Sequence, residues 1–216
     1  MKNNHPFVVG ITGGIGSGKS TAAKFFEELG IPVYNSDTRA KLIQNENSEV
    51  KAKIIAAFGE EAYDENGLNK AYLSKQVFQD NEKLKVLNSI VHPAVFKDFE
   101  AWKIAQQTPI VMKEAAILIE SGSYKDCDMV ISVMVDIEKR IARTMERDGL
   151  TREDILARIN HQISDEERIA KSDVIIDNNG DLAHLKNEVE QALMNIKKKD
   201  GFTLTISHKL EKIRKD

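Results

Sequence analysis

Residues Gly10–Thr21 read GITGGIGSGKST, and this stretch constrains the fold more than any other part of the 216-residue chain. A run of apolar or small residues, Phe7–Thr12, leads into it, and the pattern TAAKFFEELG closes it. The first pattern is typical of a buried strand and the second of an amphipathic helix. We therefore expect a glycine-rich loop held between a strand and a helix, which is a unit of α/β folds.

The loop fits the phosphate-binding pattern Gly-x4-Gly-Lys-Ser in full. Glycines let successive backbone N–H groups turn toward one anion, and the following helix adds the positive end of its dipole. Lys19 is of the type that reaches the β- and γ-phosphates, and Ser20 of the type that ligates magnesium. We favour a nucleoside triphosphate site, for ATP in particular, over a turn without ligand. Its residues are Gly13, Gly14, Ile15, Gly16, Ser17, Gly18, Lys19, Ser20 and Thr21.

Short apolar runs alternate with helical patterns along the rest of the chain. The runs lack a polar alternation, as expected of strands covered on both faces. They are Phe7–Thr12, Ile31–Tyr34, Ile110–Met112, Met129–Val135 and Asp173–Ile176. Strands that alternate with helices predict a parallel sheet. The expected fold is α/β, a five-stranded parallel sheet of the P-loop NTPase type flanked by helices.

The stretch between the second and third strands is too long for one crossover helix. It contains turn signals at Phe58-Gly59 and Asp64–Gly67 and a predicted helix break at His92-Pro93. We interpret it as an inserted helical domain. A second helical stretch follows the fourth strand; we expect one helix to end at Asp148-Gly149 and a capping box at Thr151 to open the next.

Composition narrows the function further. Thirty-one basic and 34 acidic residues give a net charge of -3, which argues against a protein that coats nucleic acid. The apolar runs are too short to span a bilayer, and the N-terminus lacks a signal-peptide pattern. Cys127 is the single cysteine, so no intrachain disulfide can form and a reducing cytoplasm is expected. The composition gives no indication of an oligomeric state.

The sequence specifies the reaction less closely than it specifies the bound nucleotide. A switch GTPase needs an Asn-Lys-x-Asp segment, and the chain has none. A motor ATPase usually carries a carboxylate at a strand end, and Glu114 could serve as one. Asp37, after the second strand, favours transfer to a bound hydroxyl instead, because ligands bind at that edge and a carboxylate there can accept the hydroxyl proton. The alternative role for Asp37 is a helix cap.

Three arginines follow the fourth strand at helical spacing, Arg140, Arg143 and Arg147, and Arg158 lies on the next helical segment. At 100° per residue the three fall within about 60° of one another. We favour a lid that clamps the transferring phosphoryl group and excludes water. The alternative is a solvated helix face paired with Glu138 and Glu146.

Taken together these residues resemble the dephospho-coenzyme A kinase family, over nearly the whole chain to about Asn195. The resemblance rests on ITGGIGSGKST, VYNSD, VHP, AILIES, RTMERDGLTREDILARINHQ and SDVIIDNNG. Three positions differ from the usual family pattern: Asn35 replaces an aspartate, Ala116 a proline, and Lys41 an arginine, with Arg39 nearby.

The resemblance implies transfer of the ATP γ-phosphoryl group to the ribose 3′-hydroxyl of dephospho-coenzyme A, with magnesium. It implies a core at about 5–37, 108–137 and 173–196, a substrate-binding insertion at about 38–107 and a lid at about 138–172, before a basic tail, 197–216. Asp37 matches the family's general base, Lys19 the loop lysine, and Arg143 and Arg147 lie in its lid. Ser20 would bind magnesium, with indirect help from Glu114.

Two other functions stay open at this stage. One is a kinase of the same architecture that acts on a nucleoside monophosphate or another small molecule. The other, of a different class, is a binding protein that uses ATP to change shape without phosphorylating anything.

Overall fold

The computed structural model describes residues 5–78 and 80–199. The described chain divides into two compact units. One is Tyr34–Ala105, and the other is formed by the residues before and after it. Each unit has its own hydrophobic core.

Seven strands and nine α-helices make up the described chain. The strands are β1 (Phe7–Thr12), β2 (Val33–Asn35), β3 (Tyr63–Asp64), β4 (Gly67–Leu68), β5 (Ile110–Glu114), β6 (Met129–Met134) and β7 (Val174–Asp177). The helices are α1 (Lys19–Glu28), α2 (Ser36–Glu46), α3 (Ser48–Phe58), α4 (Lys70–Phe78), α5 (Asn81–Ile104), α6 (Ile137–Asp148), α7 (Arg152–Asn160), α8 (Asp165–Ala170) and α9 (Leu182–Lys199). The predicted tail at 197–216 lies outside the described residues beyond Lys199.

The main sheet has five strands in the order β2-β5-β1-β6-β7. β1 is central, with β5 and β6 parallel to it on either side, and β7 is parallel to β6. The predicted five-stranded parallel sheet is confirmed, with strand ends shifted by one or two residues. Because β1 and β5 are parallel and Ile11 pairs with Glu114, the end of β5 lies beside the start of the glycine-rich loop.

The hydrophobic core of the unit that contains the phosphate-binding loop lies between the sheet and two helices, α1 and α9. On α9 the buried residues Leu185, Val189, Ala192 and Ile196 recur at helical spacing and form one stripe. Phe26 of α1 packs into the same cluster. Full burial of one such aliphatic or aromatic side chain contributes about 1.5–3 kcal/mol, so this cluster fixes α1 firmly beneath the loop that precedes it.

The second unit consists of α2 to α5 and the hairpin β3–β4, whose turn is at the predicted Asp64–Gly67. α3 ends at Phe58, where Gly59 has a φ of 91°. The predicted break at His92-Pro93 is wrong, because α5 runs through Pro93 as a 24-residue helix. Proline removes one backbone hydrogen bond, but on either side of it Val91 packs in the core of this unit and the buried ring of Phe99 packs against Tyr34. Tertiary packing thus overrides the local signal.

Three helices follow β6 in the region predicted as the lid. α6 ends at Asp148, and Gly149 adopts a left-handed φ of 66°. Thr151 and Ser164 accept hydrogen bonds from the Asp154 and Glu167 amides and cap α7 and α8, so the predicted start of a helix at Thr151 is confirmed. In the part of the chain that the structure describes, no helix is both long and apolar enough to cross a membrane.

Candidate active site

The loop from Gly13 to Thr21 connects β1 to α1, as the sequence predicts. Gly16 and Gly18 have φ values of 75° and 86°, a region that residues with a side chain rarely adopt. Gly18 also caps α1, and no side chain caps this end of the helix. The positive end of the α1 dipole therefore faces the loop, which favours an anion there.

The loop residues line a cavity of about 390 Å³. This volume lies within the range of about 300–1,000 Å³ that is usual for small-molecule sites. All nine predicted residues contribute to the lining. The others that line it are Ala116, Arg147, Arg158 and Gln162. Cationic side chains and a bare helix end thus meet in one concave site.

Glu114, at the end of β5, contacts both functional side chains of the loop. Its Oε1 lies 3.2 Å from Lys19 Nζ and accepts a hydrogen bond from Ser20 Oγ at 2.5 Å. Glu114 is buried, with 2% of its surface exposed. A hydroxyl and a carboxylate oxygen are the hard ligands that Mg²⁺ prefers, and Mg²⁺ in nucleotide sites usually takes few protein ligands besides phosphate and water. The residues present therefore fit a magnesium ion.

Ile15 in the loop is held at both ends of its backbone. Its N–H donates to Gln162 Oε1 at 3.0 Å, and its carbonyl accepts from Arg140 Nε at 3.0 Å. Arg140 in turn donates to both carboxylate oxygens of Asp165 at 3.2 Å. These contacts join the loop to α6 and to the segment from the end of α7 to the start of α8.

Arg140 is buried, with 4% of its surface exposed. Burial lowers the pKa of its guanidinium, which Asp165 counteracts, and the positive charge of Arg168 lowers it further. Its side chain is committed to the loop backbone and to Asp165. The predicted stripe of three equivalent lid arginines is therefore wrong for Arg140, because a guanidinium packed under the loop cannot swing over a phosphoryl group.

The other arginines of the predicted lid occupy different places. Arg147 and Arg158 line the cavity. Arg147 also forms a two-point ion pair with its neighbour Asp148, at 2.7 Å for both contacts, which raises the pKa of Arg147. Arg143 does not line the cavity and donates to the backbone carbonyl of Asn178 at 3.1 Å. Its predicted role as a catalytic arginine stays a prediction.

Asn178, the residue after β7, supports the loop through its side chain. Its Nδ2 donates to the carbonyl of Ser17 at 2.7 Å, and the residue is buried. A Cβ on Gly18 would collide with this amide, and one on Gly16 would collide with the Arg140 carbonyl. The loop glycines are thus required by their conformation and also by the closeness of α6 and Asn178.

Asp37 lies in the second unit, in the first turn of α2. The alternative that Asp37 caps this helix is wrong, because Asn35 is the cap and accepts from the Thr38 N–H at 2.8 Å. Asp37 is half-buried, and only Ser36 separates it from the end of β2. Its assignment as the general base stays a prediction.

Sequence reasoning gave Gln162 no role. It lies in the quoted segment RTMERDGLTREDILARINHQ, but a glutamine next to a helix end resembles any solvated loop residue. Only the fold brings Gln162 to Ile15, since 147 positions separate them in the chain. The supporting positions of Arg140 and Asn178 could not be predicted for the same reason.

Comparison with known proteins identifies the family of this chain. The family model for dephospho-CoA kinase matches residues 7–184. A dephospho-CoA kinase of Fusobacterium nucleatum is 40% identical over 185 residues, which is 85% of this chain and 95% of the relative. A Thermus thermophilus crystal structure is 34% identical with a TM-score of 0.80, covering 88% of this chain and 98% of that one. The dephospho-CoA kinase structure from Campylobacter jejuni is 29% identical with a TM-score of 0.65, covering 88% and 97%. The chain belongs to the dephospho-CoA kinase family.

Proposed function

We propose that this protein transfers the γ-phosphoryl group of ATP to the ribose 3′-hydroxyl of dephospho-coenzyme A, which gives coenzyme A and ADP in the final step of coenzyme A synthesis. The observation that carries the proposal is the complete phosphate-binding loop, whose cavity also holds two arginines, in a chain matched to the family over residues 7–184. The loop accounts for the binding of the phosphoryl donor, and membership of the family indicates the acceptor.

The loop binds the triphosphate through backbone N–H groups and the α1 dipole. Lys19 lies at the cavity wall, 3.2 Å from Glu114, and neutralises the β- and γ-oxygens when the nucleotide is bound. The hydroxyl of Ser20 and, less directly, the carboxylate of Glu114 would hold magnesium. A bound magnesium ion supplies positive charge where negative charge develops on the phosphate oxygens.

The acceptor hydroxyl loses its proton as the new O–P bond forms, and we assign Asp37 to receive that proton. Two features support this assignment: Asp37 lies in the first turn of α2 with only Ser36 between it and β2, and the N-cap of that helix is Asn35. The helical unit Tyr34–Ala105 that carries Asp37 is the proposed acceptor-binding region.

Arg147 and Arg158 are the arginines that we assign to the transferring group. Both line the cavity. Arg147 is paired with Asp148 in this structure, and a bound phosphoryl group would compete with Asp148 for its guanidinium. Two guanidinium groups over the γ-phosphate would stabilise its charge and keep water from reaching it, which protects ATP from hydrolysis. Arg143 remains a third candidate.

The test is coupled ADP release with ATP and magnesium, with and without dephospho-coenzyme A. We expect strong stimulation by the acceptor, with coenzyme A as the product. Stimulation only by a nucleoside monophosphate or a sugar acid would identify a different small-molecule kinase. Tight ATP binding with no stimulation by any acceptor in the panel would identify a non-catalytic binding protein. A cytoplasmic location is part of the proposal and is supported by the single cysteine, Cys127.

A further inference from the structure

Gln162 is the one uncharged long side chain that reaches the cavity from the segment between α7 and α8, among the residues described. Its backbone is fixed by a hydrogen bond from its N–H to the carbonyl of Ile159 at 2.9 Å. Its side-chain Oε1 accepts from Ile15 N–H at 3.0 Å and lies 3.4 Å from Arg140 Nη2. The side chain is therefore held in one orientation.

Chemistry decides which end of the amide faces the loop. The Ile15 N–H and the Arg140 guanidinium can only donate, so the atom between them must be the oxygen. The NH₂ group is then the end that remains, and within residues 5–78 and 80–199 it donates to no protein acceptor. The two N–H donors of the Gln162 amide thus lie at the wall of a cavity that is lined by the phosphate-binding loop.

We propose that Gln162 Nε2 donates a hydrogen bond to the terminal phosphoryl group of the bound triphosphate. The helix end at Gly18 serves the inner phosphates, since the helix N–H groups converge there. Gln162 is anchored at Ile15, on the other limb of the loop, and it lines the same cavity as Arg147 and Arg158. The donor therefore meets the outer end of the nucleotide.

This contact makes Gln162 a sensor that distinguishes ATP from ADP. The same amide touches the loop through Ile15 and α6 through Arg140, and Arg140 binds Asp165 at the start of α8. A terminal phosphoryl group adds a bond to this network, and its transfer to the acceptor removes that bond. The loop and the segment between α7 and α8 are then held together more tightly with ATP than with ADP.

Two substitutions separate this role from a purely structural one. Gln162→Glu keeps an oxygen for Ile15 and Arg140 but replaces the donor with an acceptor. Gln162→Met removes both functions without adding charge. Gln191→Glu, at an exposed position on α9, is the matched control for the charge change.

The measurement is the equilibrium affinity for an imido-bridged, non-hydrolysable ATP analogue and for ADP, with magnesium and without acceptor, beside thermal unfolding. With Gln162→Glu we expect binding of the ATP analogue to weaken about tenfold or more and binding of ADP by about threefold or less, the scale of one hydrogen bond to a charged group. The thermal midpoint should stay at the wild-type value, and Gln191→Glu should leave both affinities unchanged. Gln162→Met should also lower the preference for the ATP analogue over ADP.

Equal loss of both nucleotides in Gln162→Met would overturn the proposal, because Gln162 would then act only by holding the loop. Wild-type affinity for the ATP analogue in Gln162→Glu would overturn it as well. The inference rests on the nucleotide half of the proposed function alone. Since no acceptor is present, a failure of the dephospho-coenzyme A assignment would leave this result intact, and the reverse also holds.

Discussion

Arg140 on α6 donates from Nε to the carbonyl oxygen of Ile15 at 3.0 Å. An arginine from the helical region after β6 thus holds the backbone of the phosphate-binding loop, from a buried position. The contact separates Arg140 from the two arginines of the predicted lid that line the cavity. Arg140 maintains the shape of the loop, whereas Arg147 and Arg158 face the cavity that the loop encloses.

Arg140→Met is expected to destabilise the protein and to weaken ATP binding together. The change leaves the Ile15 carbonyl without its donor and removes the guanidinium that pairs with Asp165, so the free energy of unfolding should fall by about 2–4 kcal/mol. Urea unfolding and ATP titration measure the two effects. Arg143→Met is the stability control, since Arg143 makes one bond to a backbone carbonyl, and it should cost about 1 kcal/mol or less. An Arg140 variant as stable as wild type would contradict the supporting role.

The sequence predicted the parts of the fold that depend on local pattern. The apolar strands, the glycine-rich loop and the cap at Thr151 are all short-range signals, and the structure has them within one or two residues. The break predicted at Pro93 failed because packing on both sides of the proline outweighs one lost hydrogen bond.

The site was only partly predictable, for a related reason. The loop motif is continuous, so its residues could be named in advance. Helical periodicity grouped Arg140 with Arg143 and Arg147, but periodicity does not predict which residues of a helix face are buried, as Arg140 is. Arg140 and Gln162 meet Ile15 across 125 and 147 positions of chain. Only the packed fold brings such positions together.

Arg147→Ala and Arg158→Ala should each lower turnover and leave stability nearly unchanged. Each removes a guanidinium from the cavity wall, and loss of one positioned donor of this kind lowers kcat about 10²-fold. Both residues are exposed, so the free energy of unfolding should change by about 0.5 kcal/mol or less. Steady-state kinetics and urea unfolding test both statements.

The control for these two variants is Arg152→Ala. Arg152 lies on the same helical region but pairs with Glu138 through two contacts of 2.7 Å and does not line the cavity. It should keep wild-type turnover. Equal losses in all three variants would mean that general charge, and not position at the cavity, matters for the rate.

Asp37→Asn is expected to keep ATP binding and to lower turnover about 10²-fold or more, the usual scale for a positioned base. The amide has the same shape but cannot take the proton of the 3′-hydroxyl. ATP titration and acceptor-dependent ADP release measure the two properties. Glu65→Gln, at an exposed turn of the β3–β4 hairpin, removes a carboxylate from the same unit and should change neither. Normal turnover in the Asp37 variant would end its assignment as the base.

Asp98 should make the stability of the unit Tyr34–Ala105 depend on pH in the acid range. Its carboxylate accepts from Arg39 Nε at 2.8 Å and from the hydroxyl of Tyr34 at 2.6 Å. The contact with Arg39 holds the pKa of Asp98 below its usual range, and Tyr34 acts in the same direction. A lowered pKa means that the ionised carboxylate stabilises the fold above about pH 4 and that this contribution is lost as the pH falls through the lowered pKa.

Asp98→Asn should therefore be less stable than wild type at pH 7, and the difference should shrink below about pH 4. Trp102 is the only tryptophan and packs 5.4 Å from the ring of Tyr34, so its fluorescence during urea unfolding reports this unit directly. Asp126→Asn, at an exposed position outside the unit, is the control and should follow wild type at every pH. A difference between Asp98→Asn and wild type that stays constant from pH 7 to pH 3 would show that the ionised state of Asp98 is not what stabilises this contact.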